Sequence, residues 1–292
     1  MDYGLCLPNF TARASREMID AAIETAARLG WGTVWTTDHV LVGTADEERD
    51  YANNFDAIAT LAYAAGRDPS LRIGSSVIVV PQRNAVVLAK ELATIDALSG
   101  GRLIAGIGIG WDRTEYANLG VSERFAVRGA YLDETIALWR HLWSGTRDAF
   151  VGRFHRLDDF VFEPLPAQGA RLPIVVGGRA EAALRRAGTL GDGYHASQAS
   201  PASMASRIEL VRAAAAAAGR PAPHLSARVN VRLDEDSGPG YALRGGPVGA
   251  AAEVRAFAAL GVDHLAFHPQ GRDPESFAAA CERITDEVLP LV

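Results

Sequence analysis

Apolar residues along the chain follow two alternating patterns. Short runs rich in branched and aromatic residues, bounded by Gly, Pro, Asn or Asp, have the look of strands, and each is followed by a longer stretch with the 3.6-residue period of an amphipathic helix. The strand-like runs are YGLCLP (3–8), TVWTT (33–37), LRIGSSVIVV (71–80), RLIAGIGIG (102–110), PIVV (173–176), GYHAS (193–197), LSARVNVRL (225–233) and DHLAFH (263–268). Helical periodicity runs from about Ser15, a residue suited to an N-cap, to Leu29, then over 54–65, the stretch around Lys90, 126–143, 180–190, 201–218, 248–260, and onward from Asp273. Eight β/α units in succession predict a parallel sheet, and that number predicts closure into a (β/α)8 barrel rather than an open doubly wound sheet. The one interruption, at about 147–172, has aromatic alternation around Gly152 and then a Pro-rich stretch. That pattern predicts a β-ribbon inserted into a single barrel domain spanning 1–292.

In a barrel of this kind the chemistry gathers at the C-terminal ends of the strands. Those ends read Pro8, Asn9, Asp38, His39, Ser75 to Val77, Gly108, Gly110, Trp111, Gly177, Gly178, Arg179, His195 and His268, a polar, aromatic and glycine-rich mouth. Asp38 and His39 fall just past the second strand. Histidine there serves as general acid or base, although position alone equally suits a turn-capping aspartate beside a solvated histidine. In GGRLIAGIGIGW, residues 100–111, Gly106, Gly108 and Gly110 share one strand face while Ile107 and Ile109 point the other way. This spacing differs from that of a nucleotide-phosphate loop. A bare strand face marks close approach by a ligand or another backbone, so two readings stand: a slot for a flat ligand, or a tight corner against a bulky neighbour. In PIVVGGR, a strand passes through Gly177 and Gly178 into a helix; the helix amides with Arg179 form an anion site, or the glycines simply make a turn.

Composition narrows the choice of function. The 48% hydrophobic and 22% charged content is that of a globular domain, and a net charge of −6 without a basic cluster argues against a nucleic-acid partner. No run approaches the roughly 18 apolar residues of a membrane span, and the N-terminus lacks the basic-then-apolar layout of a signal peptide, so the expected setting is the cytoplasm. Two cysteines, Cys6 and Cys281, fit buried thiols rather than a disulfide frame or a metal knuckle. Lys90 is the sole lysine among 29 basic residues and lies in a helical run, which excludes Schiff-base chemistry at a strand end. The seven histidines show neither His-x-His nor His-Glu-x-x-His spacing, so no metal site is expected.

Four blocks in this order, WTTDHV, IGSSVIVVPQRNAVVLAKELATIDALSGGRLIAGIGIGW, RGAYLDETIALWRHLW and PIVVGGR followed by RRAGTLGDGY, resemble the bacterial luciferase-like monooxygenase superfamily. The likeness is greatest to its coenzyme F420-dependent oxidoreductases and covers nearly the whole chain. The resemblance implies a TIM-like barrel that binds a deazaflavin or flavin ring at its mouth, a small-molecule substrate and a homodimer. It also implies a non-proline cis peptide at Ser76–Val77 behind the ring, Asp38 and His39 beside ring and substrate, ring contacts at Gly106, Gly108 and Gly110, and a cofactor phosphate at Gly177, Gly178 and Arg179. The family's sugar-phosphate and alcohol dehydrogenases carry a glutamate directly after the fourth-strand glycines, where this chain has Trp111. Glu115 is the nearest substitute, provided the loop turns back. The implied reaction is hydride transfer from reduced F420 to an activated C=C, C=N or C=O bond, with His39 assisting protonation. An FMN-dependent monooxygenase and a non-catalytic flavin-binding protein are the alternatives on the same barrel.

Overall fold

The computed structural model describes residues 1–44 and 51–292, and its main sheet closes on itself. In chain order the elements are β1 (Asp2–Cys6), α1 (Arg16–Arg28), β2 (Thr33–Thr36), α2 (Ala57–Arg67), β3 (Arg72–Ser75), β4 (Ile78–Val79), α3 (Ala85–Ser99), β5 (Leu103–Gly108), α4 (Arg113–Asn118) and α5 (Arg124–Trp143). They continue with β6 (Phe150–Val151), β7 (Arg156–Leu157), β8 (Ile174–Gly177), α6 (Glu181–Thr189), β9 (Gly193–Ser197), α7 (Pro201–Ala217), β10 (His224–Val231), β11 (Ala242–Leu243), α8 (Gly246–Ala259), β12 (His264–His268) and α9 (Pro274–Arg283). The wall runs β1-β2-β3-β5-β8-β9-β10-β12 and returns to β1, parallel throughout. β4 carries on from β3 against β5, and β11 hangs off β10 outside the ring, so the 10-stranded sheet makes a barrel of eight staves. The antiparallel pair β6–β7 is the ribbon expected in the insertion. No described helix is long and apolar enough to cross a membrane.

Helix starts follow side-chain chemistry. Ser15, Asp56, Asn84, Asp112, Ser200 and Asp273 each accept a hydrogen bond from a first-turn backbone amide, which satisfies donors that the helix itself leaves free. The alternation along each strand sorts two cores. Outward residues such as Leu5, Val34, Ile73, Ile107, Val176, Val229 and Phe267 pack beneath the helices in the main core. The inward set is smaller and mixed: Cys6, Trp35, Ile104, Val175 and Ala266 pack together inside the barrel, with His195, Ser226, Arg228 and His264 buried among the same strands. Both cysteines are buried and free.

Two features depart from the pattern reading. The third strand, read as continuous over 71–80, breaks between β3 and β4, and the break holds the non-proline cis bond Ser76–Val77. The segment after the seventh strand-like run, which the pattern left without an element before the helix at 248–260, contains β11. The larger correction concerns the glycine face. A Cβ on Gly106 would stand 1.7 Å from the Ser75 carbonyl oxygen, one on Gly108 would stand 2.7 Å from Val77 Cγ2, and one on Gly110 would stand 2.6 Å from Val79 Cγ1. The room that these glycines leave is therefore filled by the neighbouring strand's bulge rather than being an open ligand slot. Gly110 also lies past the strand end with φ +64°, off the regular alternation. From β8, Gly177 completes the cradle, since its Cβ would stand 3.0 Å from Val77 Cγ1. The Ser75 hydroxyl bridges the two strands at this point, donating to Gly106 O (2.7 Å) and accepting from Gly106 N (3.0 Å).

This packing predicts opposite signs for two glycine-to-alanine changes. Gly106→Ala drives a methyl into a backbone carbonyl and should destabilise the fold by at least about 1–3 kcal/mol. Gly66→Ala, on an exposed part of α2 with nothing within 4 Å of the added carbon, should stabilise it by about 0.5–1 kcal/mol. Chemical denaturation of both variants checks the pair. Equal midpoints would show that the β3–β5 approach is looser than described.

Candidate active site

Asp38 and His39 follow directly from β2, and the two side chains do different work. The Asp38 carboxylate is buried and both its oxygens are taken: Oδ2 accepts from the amide of Val79 (2.9 Å), and Oδ1 from Arg83 Nη2 (2.6 Å). Arg83 also reaches Asp56, the N-cap of α2, at 2.9 Å. Asp38 thus ties the end of β2 to the far side of the bulge, each oxygen already accepting one structural hydrogen bond. Asn9, at the end of β1, does a similar job, accepting from Thr37 N (2.9 Å) and donating to Thr37 O (2.8 Å).

His39 pairs with Glu115. Asp112 caps α4 and fixes the turn that brings Glu115 back beneath the β2 loop, where Oε2 lies 3.1 Å from His39 Nδ1 and 2.9 Å from Gln82 Nε2. Oε1 accepts from the amides of Val40 (2.5 Å) and Leu41 (3.2 Å). Burial on its own would raise the Glu115 pKa, but the hydrogen bonds from His39, Gln82 and Val40 outweigh it and bring the pKa down to about 2. An ionised carboxylate only accepts, so the hydrogen shared with His39 sits on Nδ1. Nε2 is the ring nitrogen left over for chemistry. Tyr51 packs on the imidazole at a centroid distance of 4.3 Å, and Trp111, 51% exposed, meets it edge-on at 5.8 Å.

Beneath the bulge lies a layer of hydrogen-bonded polar side chains. Ser76 Oγ is 2.8 Å from His195 Nε2, and the other nitrogen of that ring is 2.8 Å from Ser226 Oγ. His195 stacks on Trp35 at 4.6 Å, and Trp35 Nε1 donates to His264 Nε2 at 3.0 Å. Burial, helped by neighbouring His264 and Arg228, lowers the His195 pKa to about 3. Burial, with His224 and Arg72, does the same to His264. Both rings are neutral at working pH and serve as packing and hydrogen-bonding parts, so His195, expected at the mouth, is a support for Ser76 instead.

The expected phosphate site is spread over an open turn. Gly177 ends β8, Gly178 has φ +133° and Arg179 is exposed; α6 begins after Ala180 with no side-chain cap, which leaves its first amides free. Ser76 and Val77 form the floor of the mouth between Gly108 and Gly177, and Val77 stays partly accessible. The sequence reading thus assembles at one place His39, Asp38, Trp111, Glu115, Ser76 and Val77, with Gly106, Gly108 and Gly110 acting from behind the bulge. It missed Gln82 and Arg83, which approach together from the turn after β4, Tyr51 from the loop after β2, and Arg228. For Arg228 there was a signal: Ser226, Arg228 and Asn230 put polar groups at alternate positions of an otherwise apolar strand.

A model of the luciferase-like monooxygenase family matches residues 1–239. An F420-dependent glucose-6-phosphate dehydrogenase of Kineococcus radiotolerans is 26% identical over 96% of this chain and 94% of its own length. Among solved structures, an F420-dependent secondary alcohol dehydrogenase in complex with an F420–acetone adduct superposes with a TM-score of 0.83 at 19% identity, covering 100% of this chain and 98% of the other. The monooxygenase RslO1 of Streptomyces bottropensis superposes with a TM-score of 0.79 at 21% identity over 99% of each chain.

Glu115 gives this site a pH signature. Its folded pKa lies below the ordinary 4.5, so the stabilisation it brings is complete above pH 4.5 and drains away as the pH falls toward 2. Glu115→Gln should cost about 1.5–3 kcal/mol at pH 7, the range for hydrogen bonds to a buried charge. Urea midpoints of the two proteins should converge as the pH is lowered from 4.5 to 3. A gap that stays constant with pH would show that Glu115 is not ionised in the folded protein.

Proposed function

The chain belongs to the luciferase-like monooxygenase family, and from that premise we propose that it is a coenzyme F420-dependent oxidoreductase that reduces an activated C=C, C=N or C=O bond of a small organic substrate. The observation that carries the reading is the His39–Glu115 pair, which presents one imidazole nitrogen to the mouth and anchors the other. The named cofactor of the relative aligned over nearly the whole chain supports F420 in particular.

The residues present fit such a group. Val77, held between Gly108 and Gly177, gives a raised apolar floor for a flat ring, and the uncapped start of α6 with Arg179 suits a phosphate on the ring's side chain. When bound, the reduced deazaflavin supplies hydride. His39, first protonated at Nε2 by solvent to the imidazolium that Glu115 stabilises from behind, then gives that proton to the substrate atom left electron-rich and returns to the Nδ1–H tautomer that Glu115 fixes. Asp38 keeps the bulge and the β2 loop in register, which sets His39 against the floor. Trp111, Val40 and Leu41, all exposed around His39, supply an apolar roof that excludes water once a substrate is seated. The engagement of Glu115 on all sides supports reduction rather than alcohol oxidation. It cannot stand as the second acid/base group that the family's dehydrogenases place directly after the glycines, where Trp111 sits instead.

Two measurements test this. Fluorescence titration should show F420 binding at least tenfold tighter than FMN; the opposite order would favour the flavin monooxygenase reading. His39→Ala should keep F420 affinity within a few-fold and lower turnover with reduced F420 by about 10²–10⁴, the range for loss of a general acid. Unchanged turnover from pH 5 to 9 in the variant would take His39 out of the mechanism.

A further inference from the structure

Beside the His39 floor, a cavity of about 400 Å³ opens between the ends of β1, β10 and β12, the size of a small-ligand site. Tyr51 forms the link, lining this cavity and packing on His39. Three guanidinium groups line it, Arg13, Arg228 and Arg232, and no carboxylate does among the described residues. Arg228 is the unusual one. It projects inward from β10 and is only 5% exposed, with one contact to Thr37 Oγ1 (3.1 Å) and its guanidinium carbon 5.1 Å from the centre of the Phe10 ring. Its Nε has no hydrogen-bond partner, and Arg228 forms no ion pair among the described residues.

A buried cation with no carboxylate partner among the described residues is unfavourable, and an unsatisfied buried donor adds to that. The neighbours do not offset it. His268 stacks on Phe10 and is held to Asn230 Oδ1 at 3.0 Å, and burial with the fields of Arg228 and Arg232 keeps it neutral. Arg232 has Glu235 only at 4.0 Å, and Arg13 rests on the Gly271 carbonyl. An oxyanion supplies what the site lacks, since the planar guanidinium fork matches a carboxylate or phosphate in two-point contact.

We propose that this cavity is the substrate's anchoring site, and that Arg228, backed by Arg232, holds a carboxylate or phosphate carried by the substrate while its reducible bond lies at His39. The assignment rests on the reductase reading for the identity of the ligand, and the anion site itself can be tested without cofactor or turnover. Inorganic phosphate is the probe, followed by thermal melting in the cofactor-free Arg179→Gln background, which removes the other anion candidate.

Phosphate should raise the melting temperature in a saturable way with Arg228 intact. Arg228→Gln should abolish that rise, Arg232→Gln should weaken phosphate binding several-fold, and Arg228→Lys, which keeps the charge, should retain it about tenfold weaker. Arg147→Gln, an exposed arginine elsewhere, should leave it unchanged. Should Arg228→Gln fail to fold, the Lys and Arg232 variants still decide the point. A phosphate response equal in all variants, or none in any, overturns the site. F420 and the same deazaflavin lacking phosphate and glutamates separate the two sources of anion. Arg228→Gln should bind each as well as the unsubstituted protein does. A tenfold loss confined to the tailed cofactor would assign the cavity to the cofactor tail and overturn the substrate proposal.

Discussion

The arrangement of the mouth depends on one steric constraint, the missing side chains on the inner faces of β5 and β8. Because Gly106 and Gly108 carry nothing, the backbone of the third stave can press against the fourth and then bulge inward, with the Val77 side chain set between Gly108 and Gly177. Each polar contact of the floor follows from that position. Ser75 bridges to Gly106, Ser76 reaches His195, and the amide of Val79 turns to Asp38. Strand glycines of this kind act through what they admit from the neighbouring strand.

The interior beneath the floor is polar, yet the charges in and around it are rationed by local donors and acceptors. Burial keeps His195 and His264 neutral, and their nitrogens meet hydroxyls and an indole, so they stiffen the barrel at little electrostatic cost. Glu115 is the opposite case. Four donors converge on it, and they hold a buried carboxylate ionised where solvation alone would not. Arg83 is matched by Asp38 and Asp56, whereas Arg228 is a buried cation with no carboxylate partner among the described residues.

Much of this was legible in the chain, and the reasons differ by element. Alternation of periods two and 3.6 fixed eight staves and their helices to within a few residues, because each strand's outward face and each helix's inner stripe must meet in one core. The cap at Ser15 was equally readable, since a first-turn amide needs an acceptor wherever the helix lies. The chain also pointed to the strand ends, and so to His39, Trp111 and the β8 turn. Side-chain partnership was beyond it. Asp38 and His39 are adjacent in sequence and opposite in role, one wholly occupied with the bulge and the other open to the mouth, because their partners come from 41 and 76 positions away. The bare glycine face allowed either a ligand slot or a tight corner against a bulky neighbour, and only the packed barrel shows the space already filled by Val77. Local sequence determines period, caps and which face is bare; what fills a bare face, and which carboxylate a histidine finds, is set by strands brought together through closure of the sheet.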